Sequence, residues 1–275
     1  MIKSAVTIAL VPQIKSGPWI FWEDLEQSME KAAAMGFDGI ELFTPSADAI
    51  DPNQLKELIQ KYKLQIAAVG TGAGKVIHGL TLTDPDPKIR EKAISFISEM
   101  ISFGAKFGAP AIIGSMQGNV LPNADREEAL TWLAEGLQHL GQKAKEVGTF
   151  LIYEPLNRYE TNLINTLGGG RDFIENHRLN NVKLLADLFH MNIEEGSIDQ
   201  VIREHGKYIG HIHFADSNRK PIGMGHTDML PIAKAILEIN YSGFVSAEAF
   251  PFPNSAAAAE LTIQAFSKYL SLIHI

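Results

Sequence analysis

The amino-acid sequence is dominated by a regular alternation, repeated about eight times, of short apolar runs with longer segments of helical period. The apolar runs are rich in β-branched residues, and this pattern is typical of successive βα units rather than of a β-sandwich. With 275 residues, the chain has the length of one closed (β/α)₈ barrel. We therefore predict a single α/β barrel domain over residues 1–275, with a helix after each strand and strands at residues 5–10, 39–43, 65–69, 111–114, 149–154, 182–187, 210–214 and 243–248.

Two of the helices can be delimited from their end signals. The first is predicted to begin near Pro87, because proline is favoured in a first helical turn, and to end at Gly108, where a C-terminal cap belongs. The second is predicted from about Ala124 to Gly148, with acidic residues near the positive end of its dipole. No low-complexity linker or composition break divides the sequence, which favours one domain.

The composition excludes several kinds of partner and site. The net charge of −8 leaves no basic surface for a phosphate backbone, so we expect no nucleic-acid partner. The absence of cysteine removes disulfides, thiolate nucleophiles and sulfur-ligated metals, and it fits a reducing compartment. No segment of the sequence offers roughly 18 uninterrupted apolar residues. We therefore expect a cytoplasmic protein without membrane contact, in which any metal is bound by oxygen and imidazole.

Side chains at the carboxyl ends of the predicted strands are the candidates for chemistry, because catalytic groups of such barrels lie there. An isolated Asp or Glu at a strand end more often caps the next helix, but metal-competent groups on four consecutive strands, the fifth to the eighth, indicate a joint role. Three carboxylates and one imidazole form a hard site that suits Mn²⁺ or Mg²⁺, with Mn²⁺ expected first, and also accepts Co²⁺ or Zn²⁺. The predicted ligands of one divalent metal are Glu154, Asp187, His213 and Glu248.

The remaining histidines differ in their expected roles. Side chains alternate along a strand, so His211 points to the same side as His213 but one layer deeper, and we interpret it as a hydrogen-bonded core residue. His190 follows Asp187 by three residues, and it either lines the pocket or is solvated in the turn. No role is expected for the histidines on predicted helix faces or in the tail, which are His139, His177, His205 and His274.

Three segments of the sequence resemble the signature segments of the ketose 3-epimerase group. This group belongs to the xylose-isomerase-like barrels and includes D-tagatose and D-psicose 3-epimerases and a 5-keto-gluconate epimerase. The segments are EPLNRYETN at residues 154–162, DLFHMNIEE at 187–195 and HIHFADSNR at 211–219, the last followed by GMGH at 223–226. The resemblance covers mainly residues 150–250, with weaker support from residues 70–72, 79–83 and 113–114.

The resemblance implies an isomerase in which the four strand-end groups bind the metal. It also implies that three further residues contact the sugar around O1, O2 and O3, namely Glu160, His190 and Arg219. Epimerising a carbon beside a carbonyl requires one base to remove a proton and a second to return one to the opposite face. Glu154 and Glu248 are the expected bases, and the metal would stabilise the enediolate as its charge develops.

Three other functions remain open at this point. An aldose–ketose or hydroxypyruvate-type isomerase would use the same metal and glutamates, and the sequence separates it poorly from an epimerase. An apurinic-site endonuclease would need extra histidines from the third and fourth strands, whose ends instead read Gly70-Thr71 and Ser115. A non-catalytic sugar-binding barrel would not need both glutamates.

The expected substrate is a small free ketose or a keto-sugar acid. A phosphate group would need more positive charge than Arg219 and Lys220 provide after the seventh strand. Lys75, in the predicted loop 70–78, either meets a substrate carboxylate or is a solvated loop lysine. For the loop 11–22 and the segment 250–253 we consider three roles: covering the site, forming a subunit contact, or packing against the barrel without a function. Assembly into a homo-oligomer, either a dimer or a tetramer, is a further possibility.

Overall fold

The barrel is built from parallel strands that close on themselves. The computed structural model of the protein describes residues 1–22 and 24–271. All strand pairs within the described residues are parallel, and β1 pairs with β9 to close the barrel. The strands are β1 (Lys3–Ala9), β2 (Phe21–Trp22), β3 (Gly39–Phe43), β4 (Gln65–Gly70), β5 (Ala111–Ile113), β6 (Leu151–Tyr153), β7 (Val182–Asp187), β8 (Ile209–His213) and β9 (Phe244–Ala247). The predicted (β/α)₈ barrel is confirmed, and each predicted barrel strand is found with bounds that differ by at most a few residues.

The short strand β2 is an addition that the sequence did not predict. It pairs with the end of β1, opposite Ile8 and Ala9, while β9 pairs with the beginning of β1. The helix expected after β1 is therefore preceded by β2. The indole Nε1 of Trp22 donates to the carbonyl of Trp19 at 2.8 Å, which fixes the turn that leads into β2.

The helices surround the strands. They are α1 (Leu25–Ala34), α2 (Pro52–Tyr62), α3 (Ala73–His78), α4 (Pro87–Ala105), α5 (Arg126–Glu146), α6 (Leu167–Asn176), α7 (Leu188–Glu194), α8 (Ile198–His205), α9 (Met229–Glu238) and α10 (Ser255–Tyr269). Helix α5 begins two residues later than predicted because the Asp125 carboxylate accepts from the backbone N–H of Glu127 and caps the helix. The predicted loop 70–78 contains α3, which was not expected.

Aliphatic side chains fill the barrel interior below the site. Ala68, Ile112, Ile152 and Leu185 form one buried cluster, contributed by four neighbouring strands. Side chains alternate along each strand, so Ile152 lies on the same side as residue 154, and Leu185 on the same side as residue 187. This apolar layer supports the polar groups above it. None of the helices in the described part of the chain is long and apolar enough to cross a bilayer.

Candidate metal centre

The four predicted metal ligands come together at the carboxyl end of the barrel. Glu154 follows β6, Asp187 ends β7, His213 ends β8 and Glu248 follows β9, and their ligand atoms all lie within 4.8 Å of one another. The Nδ1 atom of His213 lies 3.3 Å from Asp187 Oδ2, 3.4 Å from Glu248 Oε2 and 3.5 Å from Glu154 Oε1. Nδ1 is therefore the imidazole nitrogen that faces the three carboxylates.

The two carboxylate oxygens of Asp187 make different contacts, one with helix α7 and the other with the polar cluster. Its Oδ1 accepts from the backbone N–H of Phe189 at 2.8 Å and of His190 at 3.4 Å, which caps α7. Its Oδ2 faces His213. Asp187 thus caps a helix, as a strand-end Asp commonly does, and also belongs to the polar cluster.

The Glu154 carboxylate lies in a tight and buried position. Gly114 has no side chain, and a Cβ atom there would lie 2.5 Å from Glu154 Oε2, so glycine makes room for the carboxylate. The other oxygen, Oε1, is buried and has no hydrogen-bond partner among the described residues. A buried carboxylate oxygen without a donor is costly. A divalent cation among these oxygen and imidazole donors fits this unsatisfied atom and the donor set.

The charges of the cluster shift the pKa values of its members in different directions. Burial raises the pKa of Glu154 to about 7, against the effect of His213 and with the help of Glu248 and Asp187. Burial also opposes ionisation of Asp187, but Arg219 and His190 hold its pKa well below the usual range. For His213, burial is outweighed by Glu41 and Glu248, which raise its pKa well above the ordinary value. Burial and neighbouring charge therefore act in opposite directions on Asp187 and on His213.

Glu41 is a part of the site that the sequence analysis did not assign. It lies on β3 and is buried, and its two oxygens face two histidines of β8. Oε1 lies 3.1 Å from His213 Nε2, and Oε2 lies 2.7 Å from His211 Nε2. Although burial opposes it, the pKa of Glu41 is lowered by His213 and His211. His211 is thus the buried, hydrogen-bonded residue that was expected, and its partner is a carboxylate from across the barrel.

Arg219 reaches the cluster from the loop after β8. One guanidinium nitrogen, Nη1, lies 3.1 Å from Asp187 Oδ2, and Nη2 contacts Glu248 Oε2. The guanidinium carbon lies 4.7 Å from the centre of the Phe189 ring, and the backbone carbonyl accepts from Phe250 N at 2.7 Å. The positive backbone angle of Arg219, with φ of 59°, is held by these contacts.

The loop that carries Arg219 is folded around one buried carboxylate. Asp216 accepts hydrogen bonds from the backbone N–H groups of Ser217, Gly223 and Thr227 at 2.7–3.0 Å. Gly225 packs so closely that a Cβ atom there would lie 2.3 Å from Asp216 Oδ1. The GMGH segment therefore provides the turn that this carboxylate organises.

The other two predicted sugar-contacting residues lie at the same cavity. His190 is buried, with Nε2 3.6 Å from Asp187 Oδ2 and 3.8 Å from Glu154 Oε1. Burial lowers its pKa, opposed by Asp187 and assisted by Arg219. The side chain of Glu160 is 48% exposed, so it lies at the mouth. Of the two alternatives for His190, lining the pocket is the one observed.

A cavity of about 220 Å³ lies over the cluster. Its wall includes Trp19, whose ring stacks on Phe43 with 4.4 Å between centroids, so the loop 11–22 forms part of the cavity wall. Phe250 and Phe252 are 42% and 45% exposed. The residues that line the cavity are Thr7, Pro18, Trp19, Glu41, Phe43, Gly70, Thr71, Gly72, Val76, Ile112, Gly114, Ser115, Glu154, Leu156, Glu160, His190, His213, Arg219 and Glu248.

Several candidates are not among the residues that line this cavity. Lys75 lies on α3, where burial lowers its pKa against the effect of Glu160, and its neighbour Val76 lines the cavity. Three histidines without an expected role lie at helices, His139 on α5, His177 at the end of α6 and His205 at the end of α8, whereas His274 lies outside the described residues.

Comparisons with known proteins cover nearly the whole barrel. A sequence profile of the family described as "Xylose isomerase-like TIM barrel" matches residues 29–269. The D-psicose 3-epimerase of Ruminiclostridium cellulolyticum is 34% identical over 239 residues, 83% of this chain and 80% of that protein. The D-psicose 3-epimerase of Agrobacterium fabrum is 31% identical over 242 residues, 86% and 80% of the two chains. The solved structure of D-psicose 3-epimerase with D-tagatose from Clostridium cellulolyticum H10 has a TM-score of 0.79 and 26% identity, over 98% of this chain and 99% of that one.

Proposed function

The chain belongs to the xylose isomerase-like TIM-barrel family, and on that premise we propose that it is a metal-dependent sugar epimerase that acts on a small free ketose or keto-sugar acid. The observation that carries the proposal is the convergence of three carboxylates and one imidazole on a cavity of about 220 Å³. This volume is below the roughly 300–1,000 Å³ of drug-sized ligand sites, and it suits one small polar molecule.

The proposed ligands of one divalent cation are Glu154, Asp187, His213 and Glu248. Mn²⁺ is the first cation to be expected there. When bound, the cation supplies Lewis-acid stabilisation of the negative charge that develops on the ketose. Glu154 and Glu248 are also the proposed bases. They follow β6 and β9, which are separated by two strands, so their carboxylates approach the shared space from different sides. One removes the proton from the carbon beside the carbonyl, and the other returns one to the opposite face.

Three further side chains are proposed to hold the oxygens of the sugar. Arg219 presents a fixed fork of donors, and its permanent charge suits an oxygen on which negative charge grows. His190 is also proposed to donate to an oxygen of the sugar, and Glu160 to accept from a hydroxyl at the mouth of the cavity. These roles are supported by the position of all three residues in the cavity wall.

The substrate is proposed to carry no phosphate. Arg219 is already paired with Asp187 and Glu248, and phosphate recognition would need further positive charge. Lys75 is half-buried near Glu160, and a carboxylate on the sugar would have to reach this lysine at the edge of the cavity. A free ketose is therefore the first substrate class to test, and a keto-sugar acid is the second.

Two other predictions from the sequence stay proposals here, a cytoplasmic location and assembly into a homo-oligomer. Phosphodiester cleavage is not proposed, because Thr71 and Ser115 occupy the strand ends where the additional histidines would be needed.

The experiment that tests the proposal is turnover in D₂O with the metal-reconstituted protein. D-Fructose, D-psicose, D-tagatose, a hexuronate and a ketose 6-phosphate are supplied separately, and products are identified by chromatography and NMR. An epimerase gives a ketose product with deuterium at the inverted carbon, whereas an aldose product would indicate an aldose–ketose isomerase. A product without deuterium, or a ketose phosphate preferred about a hundredfold in kcat/KM, would contradict the proposal.

A further inference from the structure

Asn157, in the loop that follows β6, is 2% exposed and uses both ends of its side-chain amide. The oxygen Oδ1 accepts from the backbone N–H of Tyr159 at 2.9 Å, and the nitrogen Nδ2 donates to Glu160 Oε1 at 3.0 Å. The reverse orientation of the amide would place its oxygen against a carboxylate and its NH₂ group against an N–H. The two contacts therefore fix which amide atom is which.

The orientation of the Asn157 amide determines which ring nitrogen of His190 carries the proton. The second hydrogen of Nδ2 points to His190 Nδ1, at a distance of 2.7 Å, and the backbone N–H of Asn157 lies 3.3 Å from the same atom. Two donors thus converge on Nδ1, which must accept and cannot carry a proton. An imidazole whose Nδ1 is unprotonated carries its proton on Nε2.

The Nε2–H group of His190 then points at a second donor. Arg219 Nη1 lies 3.1 Å from Nε2, and a guanidinium has no acceptor atom, so this contact is not a hydrogen bond. The carboxylate oxygens nearest to Nε2 are 3.6 Å and 3.8 Å away, too far to satisfy it. Arg219 Nε is also buried without a partner among the described residues. Buried donors without an acceptor are unfavourable, and an oxygen atom that enters the cavity beside His190 Nε2 and Arg219 Nη1 would accept from both.

We propose that Asn157 is a positioning residue that holds the proton of His190 on Nε2, so that His190 and Arg219 form a two-donor site for one oxygen of the ketose. This inference rests on the proposed function, because that function supplies the oxygen. Asn157 does not line the cavity, and its effect on turnover passes through His190. This role differs from general support of the loop, because Asn157 specifies which ring nitrogen of His190 donates.

The direct test is ¹⁵N NMR of the histidine ring nitrogens in the metal-free and Mg²⁺-loaded protein, with His190 assigned by loss of its signals in His190→Gln. In the wild type, Nδ1 is expected at the chemical shift of an unprotonated nitrogen and Nε2 at that of a protonated one. In Asn157→Asp a carboxylate oxygen replaces the donor, so the proton is expected to move to Nδ1. A protonated Nδ1 in the wild type, or a proton that stays on Nε2 in Asn157→Asp, would overturn the proposal.

Kinetics with a matched control distinguish this role from loop support. Asn165 lies in the same loop, and its Nδ2 donates to Leu156 O at 2.7 Å and Thr161 O at 2.9 Å, without contact to His190. Asn157→Ala and Asn157→Asp are expected to lower kcat about tenfold or more, as loss of an orienting partner does at metal sites. Asn165→Ala, which also loses two donors, is expected to keep kcat within about threefold and the proton of His190 on Nε2.

An equal loss of kcat in Asn165→Ala and Asn157→Ala would reduce Asn157 to loop support and overturn the inference. If the wild type turns over none of the ketoses, the proposed function fails, and the NMR result still decides the role of Asn157.

Discussion

Glu41 links two histidines through its two oxygens, and this has a consequence for the orientation of His213. The hydrogen bond between Glu41 Oε1 and Nε2, at 3.1 Å, places the proton of His213 on Nε2. Nδ1 is then the nitrogen that faces the three carboxylates, and it would bind a cation once it has lost its own proton. A carboxylate behind a metal-binding histidine commonly fixes its orientation and raises its basicity.

Replacing Glu41 by Gln should weaken metal binding without removing a ligand. The amide keeps the shape but loses the negative charge, and we expect the affinity for Mn²⁺ to fall about 10-fold to 100-fold. Isothermal titration calorimetry with Mn²⁺ measures this change. Glu57→Gln, at an exposed position of α2, is the control and should bind like the wild type. Equal affinities in all three proteins would show that Glu41 does not support His213.

The raised pKa of Glu154 predicts that metal binding depends on pH. The carboxyl group has its pKa raised from 4.5 to about 7, chiefly by burial, so below about pH 7 it is protonated in the metal-free protein. A cation must displace this proton, and the affinity for Mn²⁺ should therefore fall as the pH is lowered from 8 to 6. Titrations in buffers of different ionisation enthalpy count the proton released. An affinity that is constant over this range, with no proton release, would contradict the shift.

At the residue scale, the sequence predicted the strand-end cluster but not its support. Glu154, Asp187, His213 and Glu248 could be found because each lies where a predicted strand ends, and the barrel brings such ends together. The partners of Glu41 could not be found in this way. They lie 170 and 172 positions away, and the register between β3 and β4 shifts at Ile40 and Glu41, which no local pattern records.

At the scale of elements, two glycines in α5 show how closely this helix packs on the barrel. A Cβ atom at Gly141 would lie 2.6 Å from the backbone carbonyl oxygen of Asn180 and 3.0 Å from a methyl group of Val182. At Gly136 the nearest atom would be Leu82 Cδ2, at 3.2 Å, which belongs to a movable side chain. The same substitution should therefore have different effects at two positions of one helix.

Alanine at either position gains about 1 kcal/mol of helix propensity over glycine. In Gly141→Ala the backbone clash should outweigh this gain, and we expect the free energy of unfolding to fall by about 1–3 kcal/mol. In Gly136→Ala we expect a change between zero and a gain of about 1 kcal/mol. Urea denaturation followed by circular dichroism measures both. The close packing of α5 would be refuted if Gly141→Ala proved as stable as Gly136→Ala.

The elements that the sequence missed are the short ones. β2 has two residues and α3 has six, too few to show a period of two or of 3.6. β2 exists because β1 offers Ile8 and Ala9 as pairing partners beyond the part of β1 that pairs with β9. Its formation is decided by a tertiary contact, whereas the long helices α4 and α5 could be predicted from their own sequences.

At the scale of the whole molecule, bound metal should stabilise the folded chain. The proposed ligands come from four strands, so the complete site exists only in the folded barrel. At a free Mn²⁺ concentration of 100 Kd the stabilisation is about 2.7 kcal/mol, and chelation should remove it. Thermal unfolding with Mn²⁺ and with EDTA measures the difference in Tm.

A matched pair of variants tests whether that stabilisation comes from the cluster. Asp187 and Asp51 both cap helices with Oδ1, and Asn is also a good cap. Asp187→Asn should lose most of the rise in Tm on addition of Mn²⁺, whereas Asp51→Asn should keep it. A full rise in Asp187→Asn would place the metal elsewhere.

The closed barrel itself could be predicted because the alternation of strands and helices runs through the entire sequence. The shape of the cavity could not be predicted from the sequence. Its wall combines Trp19 from the loop before β2, Val76 from α3 and Leu156 from the loop after β6. Their approach depends on side-chain packing between elements that are distant in sequence.

Closure of the barrel by β1 and β9 has a consequence for the order of events during protein synthesis. Lys3 pairs with Phe244, so β1 can complete its pairing only after β9 has been synthesised. Glu248 follows that last strand and completes the polar cluster. A nascent chain that ends before β9 has both an open sheet and an incomplete set of ligands. Closure of the barrel by β9 therefore also completes the set of proposed metal ligands.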